Sequence, residues 1–164
     1  MELAIISDTH MPRGSRALPA ECVERMRAAD AILHAGDLVA LEVLELLESL
    51  GPSVHAIHGN VDDPAVRMRL PAVRLVEAEG ARIVMTHDGG PAEGRLGRLR
   101  RRFPGADAVV FGHSHLPLHE RGDGFQIFNP GSPTERRRAP THTMGIATAR
   151  GGRLEFELVE LGSL

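Results

Sequence analysis

Residues 31–60 read AILHAGDLVALEVLELLESLGPSVHAIHGN. An apolar run (31–36), an amphipathic segment (41–50) and a second apolar run (54–59) follow one another here. Leucine and valine recur at three- and four-residue spacing through the middle segment, which predicts a helix that Gly51-Pro52 stops. A strand, a helix and a strand in this order make a crossover unit with parallel strands. Working outward, LAIIS (3–7) reads as an earlier strand, PRGSRALP (12–19) as a loop, and the residues up to about Ala29 as a helix. The front half is therefore α/β.

The rear half changes character. VRLVEAEG (73–80) and ARIVMTHDG (81–89) predict two strands joined by a tight Glu79-Gly80 turn. AEGRLGRLRRRF (92–103) predicts a basic helix. DAVVFGH (107–113), FQIFNPG (125–131), HTMGIATA (142–149) and RLEFELVEL (153–161) predict strands with little helix between them. The expected architecture is a two-sheet β-sandwich flanked by helices, α/β/β/α with mixed sheets, in a single domain spanning residues 1–164.

Composition narrows the function classes. A formal net charge of −3 gives no general attraction to nucleic acid. All 19 basic residues are arginine, so no lysine is present to form a Schiff base or anchor a phosphate. Any phosphate contact must come from arginine, backbone or metal. The lone cysteine, Cys22, sits in a helical pattern and reads as a small core residue. The apolar stretch at the N-terminus is only a few residues long and is broken by Asp8, so neither a signal peptide nor a membrane span is expected, and the cytoplasm is the default compartment.

The chemistry lies where the strands end. The first ends in SDTH (Asp8, His10), the second in HAGD (Asp37), and the third in HGN (Asn60). Later strands end in MTHDG (His87) and GHSH (His113, His115). Ligands of open α/β sheets bind at the carboxyl ends of strands, so five such ends converge on one rim. Two carboxylates, one amide oxygen and four imidazoles, with no thiolate, suit Mn²⁺, Fe²⁺, Zn²⁺, Co²⁺ or Ni²⁺ better than Ca²⁺ or Cu⁺. Seven ligands exceed the need of one ion and suffice for two, roughly 3.5–4 Å apart, if a carboxylate bridges. His113 and His115, two apart, are expected on one side of an extended backbone.

Asp8-Thr9-His10, Gly36-Asp37, Gly59-Asn60, His87 and Gly112-His113-Ser114-His115 occur in the order of the calcineurin-like metallophosphoesterases, a family that residues 3 to about 132 resemble. SDTHMPRGS, HAGD, GNVDD and NPGS are most similar to its small bacterial and archaeal phosphodiesterase branch. The resemblance implies two divalent transition-metal ions, manganese foremost, with nickel, iron, zinc and cobalt as alternatives. It implies that Asp8, His10 and His115 hold the first, that Asn60, His87 and His113 hold the second, and that Asp37 bridges them. A bridging hydroxide is then the expected nucleophile on a small phosphate ester.

Val61 stands where many members of the family carry a histidine after Gly-Asn, and valine donates no proton. The phosphodiesterase branch shares this gap. Asp62 is the tentative substitute acid, with His58 also near in sequence; the alternative for Asp62 is capping of a helix ahead of Pro64. His34 and Asn129 are expected to support the ligands from behind, while His55, His119 and His142 read as structural or surface residues, with His119 also a candidate for the site mouth. The arginine clusters at 95–103 and 135–138 read either as solvated faces or as guides for an anionic substrate.

Three functions compete: a dimetal phosphodiesterase, a phosphomonoesterase on the same core, and a non-catalytic interaction scaffold of the same fold. Intact ligand positions favour an enzyme. The sequence leaves oligomeric state open, with a homodimer or a higher assembly admitted.

Overall fold

Side chains of β1 (Glu2–Ile6) alternate between two apolar layers and so set the plan of the molecule. Leu3 and Ile5 enter a core shared with Ile83, Met85, Val110 and Phe128. Ala4 and Ile6 face the opposite way, onto Met26, Leu44 and Leu47. The computed structural model describes residues 1–14 and 16–162; Ser15 of the predicted loop and residues 163–164 lie outside them.

Two five-stranded sheets face each other across the first of these cores. In one, β1, β2 (Ala31–His34) and β3 (Ser53–Ala56) are parallel, and β9 (His142–Arg150) and β10 (Arg153–Leu161) extend it antiparallel on the other side of β1. In the other, β5 (Ala81–Thr86), β6 (Ala108–Val110) and β8 (Phe125–Asn129) are parallel, flanked by antiparallel edges β4 (Val73–Ala78) and β7 (Leu118–Gly122). Helices α1 (Ala20–Ala28), α2 (Leu41–Glu48) and α3 (Pro64–Arg69) cover the first sheet. Helix α4 (Arg95–Arg102) covers the second, with Leu99 packed on Val109 and Phe111. This is the expected helix–sheet–sheet–helix order with mixed sheets.

The differences from expectation are local. β7 was not among the predicted elements, the six-residue α3 was raised only as a helix for Asp62 to cap, and α4 begins at Arg95 rather than at residue 92. β2 and β3 stop at His34 and Ala56, earlier than their apolar runs, because the chain turns there to form the rim. Cys22 is buried on α1, and burial pushes its thiol up to about 12, consistent with a packing residue. No helix among the described residues is long and apolar enough to cross a membrane.

Candidate metal centre

Five of the six parallel strands run into turns that carry the chemistry. Asp8 and His10 follow β1, Asp37 follows β2, Asn60 follows β3, His87 follows β5, and His113 and His115 follow β6. Five of these seven hold left-handed backbone: φ is 56° at Asp8, 47° at His10, 62° at Asp37, 72° at His113 and 61° at His115. Such conformations cost a non-glycine residue roughly 1–2 kcal/mol. The extended backbone expected for His113 and His115 is thus corrected. The left-handed turns let these near neighbours serve different clusters: His115 stands 4.9 Å from the His10 ring, and His113 stands 5.3 Å from the His87 ring, centroid to centroid.

Two groups of donor atoms result. Asp8, His10 and His115 form one, and Asp37, His87 and His113 the other, with the atoms of each group within 4.8 Å of one another. In the first, Asp8 Oδ1 is 3.5 Å from His115 Nε2 and 3.9 Å from His10 Nε2. In the second, Asn60 Oδ1 lies 3.1 Å from both His87 Nε2 and His113 Nδ1. Asp37 Oδ2 is 3.0 Å from His87 Nε2 and 3.5 Å from His10 Nε2, so one oxygen faces both groups.

The outward nitrogens are held by acceptors. His87 Nδ1–H donates to the Ala35 carbonyl at 2.7 Å, and His115 Nδ1–H donates to the Glu135 carbonyl at 2.5 Å. Each ring therefore turns an Nε2 lone pair inward. Asp8 Oδ1, His10 Nε2 and His115 Nε2 are buried and have no hydrogen-bond partner. Orphaned buried polar atoms are rare and costly. Three that converge, one of them on a carboxylate, fit a cation of nitrogen–oxygen preference.

The electrostatics agree. Burial works against a charged His10, but the carboxylates of Asp37 and Asp8 facing its Nε2 and the nearby charge of Glu135 outweigh it, raising His10 to about 9. Burial likewise opposes charge on His87, and Asp37 and Asp8 again win, so its pKa is raised. Burial lowers His115, and Arg137 and His10 add to it. Asp37 is driven up by burial and far more strongly down by His10 and His87, ending well below the usual carboxylate range. A bound proton on His10 or His87 occupies the same lone pair that a cation needs.

A second layer holds the turns. Asp62 is buried, and its carboxylate accepts from the backbone N–H groups of Gly59 at 2.6 Å, Asp37 at 3.0 Å and Val39 at 2.6 Å. Val39 has φ of 87°, an outlier for a β-branched residue, so this carboxylate braces a strained turn. Both oxygens are engaged as acceptors, an arrangement that braces the turns and offers no proton outward. Asp62 also caps no helix; the N-cap of α3 is Asp63. His34 accepts from Gly36 N at 3.1 Å and faces Thr9 Oγ1 at 3.0 Å, joining the first two turns without touching a ligand side chain. Burial lowers His34 to about 4 and keeps it neutral.

Asn129 Nδ2 donates to the Gly112 carbonyl at 3.1 Å and to Ser114 Oγ at 3.2 Å, so it organises the GHSH turn. Ser132 Oγ donates to the Asp8 carbonyl at 2.8 Å, and Thr134 Oγ1 donates to the Thr9 carbonyl at 2.7 Å. This strap delivers Glu135, which the sequence reading did not single out. Its Oε2 is 3.3 Å from His10 Nδ1, and its Oε1 accepts from Arg16 Nη2 at 2.8 Å. The only sequence signal was its place directly after NPGSPT. His119, on β7, lies edge-on to Phe128 and tilted against Phe156, with Nε2 2.8 Å from Gln126 Oε1. His58 lines a cleft beside the second group, together with Arg98 and Arg102 of α4.

Close approach explains two glycines. A Cβ on Gly59 would strike Asp37 Oδ1, and one on Gly112 would strike Ser7 Oγ and stand 2.5 Å from Asp8 Oδ2. Only glycine lets these turns pass so near the carboxylates.

The family model of the calcineurin-like phosphoesterase superfamily domain matches residues 1–152. The chain belongs to this superfamily. It is similar to a probable metallophosphoesterase of Methanothermobacter thermautotrophicus, with 33% identity across 99% of this chain and 94% of that protein. It is also similar to a phosphodiesterase of Methanocaldococcus jannaschii, at 24% identity over 80% of this chain and 83% of the relative. Among solved structures, zinc-complexed Vps29 from Entamoeba histolytica shares the fold with a TM-score of 0.78, at 21% identity over 98% of this chain and 99% of that one. As a metallophosphoesterase, the chain is implied to use divalent metal ions.

Proposed function

We propose that this metallophosphoesterase is a phosphodiesterase with a dinuclear centre. Asp8, His10 and His115 would hold one ion, Asn60, His87 and His113 would hold the other, and Asp37, with one oxygen facing both groups, would serve the two. The observation that carries the reading is the set of partnerless buried atoms, Asp8 Oδ1, His10 Nε2 and His115 Nε2, turned toward one another. Manganese is the ion that the family resemblance favours; imidazole and carboxylate donors without thiolate admit it alongside iron, cobalt, nickel and zinc. When bound, the ion pair supplies a nucleophilic hydroxide at neutral pH and positive charge for the phosphate oxygens.

The residues of the chain then position and protect. Glu135 and Ala35 fix the ring tautomers, Asp62 and Asn129 hold the turns, and Asp37 stays ionised. The preference for diesters rests on the phosphodiesterase relative; separately, Val61 offers no proton and Asp62 is engaged in bracing. Without a general acid, esters with good leaving groups are hydrolysed fastest.

The test is turnover of bis-p-nitrophenyl phosphate by chelator-stripped protein, with and without Mn²⁺. Hydrolysis that appears only with metal is expected. Metal binding without diester turnover would overturn the reading, in favour of the monoesterase if p-nitrophenyl phosphate is cleaved and of a scaffold if neither is.

A further inference from the structure

Beside the second group of donors, a cleft of about 520 Å³ reaches from Asn60 and His87 to α4. That volume lies in the roughly 300–1,000 Å³ range of small-molecule sites. Val73 and Leu99 give it apolar wall, and Arg67, Arg98 and Arg102 line it. Arg67 donates to the Asn60 carbonyl at 2.7 Å and the Asp62 carbonyl at 3.0 Å. Arg98 donates to the carbonyls of Gly89 at 2.8 Å, Pro91 at 2.6 Å and Glu93 at 3.1 Å. These acceptors are neutral, so both guanidinium charges stay uncompensated. Arg102 is exposed and lies over its neighbour Phe103, 4.7 Å from the ring centroid. Among the described residues none of the three arginines has a carboxylate partner, whereas Arg16, Arg25, Arg69, Arg82 and Arg100 do. The one acid lining the cleft is Asp88, which accepts from Gly90 N at 2.8 Å.

We infer that this cleft is a subsite for a second anionic group of the substrate, and that the substrates are phosphate diesters carrying a terminal phosphate. The inference rests on the phosphodiesterase reading. Two arginines serve as struts for the loops bearing Asn60 and His87, and they put fixed positive charge there at no further ordering cost. Arg102 has its whole fork free for a phosphate, and guanidinium suits that geometry. The apolar wall receives the body of the ester between its two phosphates.

The test compares 5′-phosphorylated diadenylate with its unphosphorylated counterpart on the Mn²⁺-loaded full chain at low salt. The expected preference in kcat/KM is about tenfold for the phosphorylated form, the worth of one charge-assisted hydrogen bond. Arg102→Ala is expected to bring the ratio toward one, while Arg153→Ala, which removes the same charge elsewhere, retains it. No preference, or an equal fall for both substrates in Arg102→Ala, overturns the subsite. If neither dinucleotide is cleaved, turnover of bis-p-nitrophenyl phosphate decides whether the phosphodiesterase reading itself fails. Calorimetric titration of the same two compounds into the protein then decides the subsite: tighter binding of the phosphorylated one, lost in Arg102→Ala, supports it, and equal binding sinks it.

Discussion

Replacing Glu135 with glutamine separates the two proposed metal sites. The carboxylate lies 3.3 Å from His10 Nδ1 and 3.9 Å from His115 Nδ1, and it has no such contact with His87 or His113. Glutamine keeps the shape and removes the charge. Carboxylates behind a ligating imidazole are worth about 10–100-fold in metal affinity, or roughly 1.4–2.7 kcal/mol. The lower end is expected, because the backbone carbonyl that holds His115 survives the substitution. The same charge also helps hold the His10 proton, whose pKa is raised to about 9. Near pH 7 the variant therefore loses affinity for the cation and for its competitor together, and part of the deficit cancels. Near pH 9 about half of that proton population is gone and more of the deficit shows. Anaerobic calorimetric titration of chelator-stripped protein with Mn²⁺ should show one of two binding events weakened about tenfold in Glu135→Gln, more at the higher pH. Equal weakening of both events, or a deficit that shrinks as pH rises, would refute the reasoning.

Metal uptake should release protons near pH 7, because His10 at about 9 and His87, also raised, must give them up. Apparent affinity should then rise about tenfold per pH unit for each proton displaced, which titrations in buffers of different ionisation enthalpy will count. Asp62→Ala leaves three buried backbone donors, those of Gly59, Asp37 and Val39, without an acceptor. At about 1–3 kcal/mol each, urea unfolding should show a loss of at least about 3 kcal/mol; unchanged stability with a lost alkaline limb of the pH–rate profile would restore the acid role. His34 is neutral in the fold with a pKa near 4 against 6.5 in the unfolded chain, so the unfolded state binds more protons between these values. Stability should fall by about 3 kcal/mol as pH drops through that window, read as the difference between wild type and His34→Asn in urea titrations.

Strand ends were the legible part of this sequence. Short β-branched runs stopping at Asp, Asn or His marked the parallel strands, because a buried strand needs apolar residues and its end is free to carry polar ones. β7 escaped notice because Leu118–Gly122 offers a single apolar side chain, and its pairing with β8 is settled by β8 rather than by its own pattern. Proximity in sequence misled at Asp62, where the residue beside Val61 points inward to backbone donors. Glu135 was hidden for the opposite reason. Before three arginines it reads as a charged loop, and only the strap formed by Ser132 and Thr134 carries it to His10.

Both groups of donors draw on both sheets: Asp8 and His10 with His115 in one, Asp37 with His87 and His113 in the other. The apolar layer between the sheets resists separation, but it is non-directional and tolerates sliding. A cation in either group acts as a rivet through the two plates, close to their common edge. Shear between the sheets would then have to break coordinate bonds at that edge, while the far edge stays free to splay. With a cation so held, the protein would be a hinged clamp fastened at one lip, and force applied along the strands would meet its stiffest resistance at the proposed metal centre.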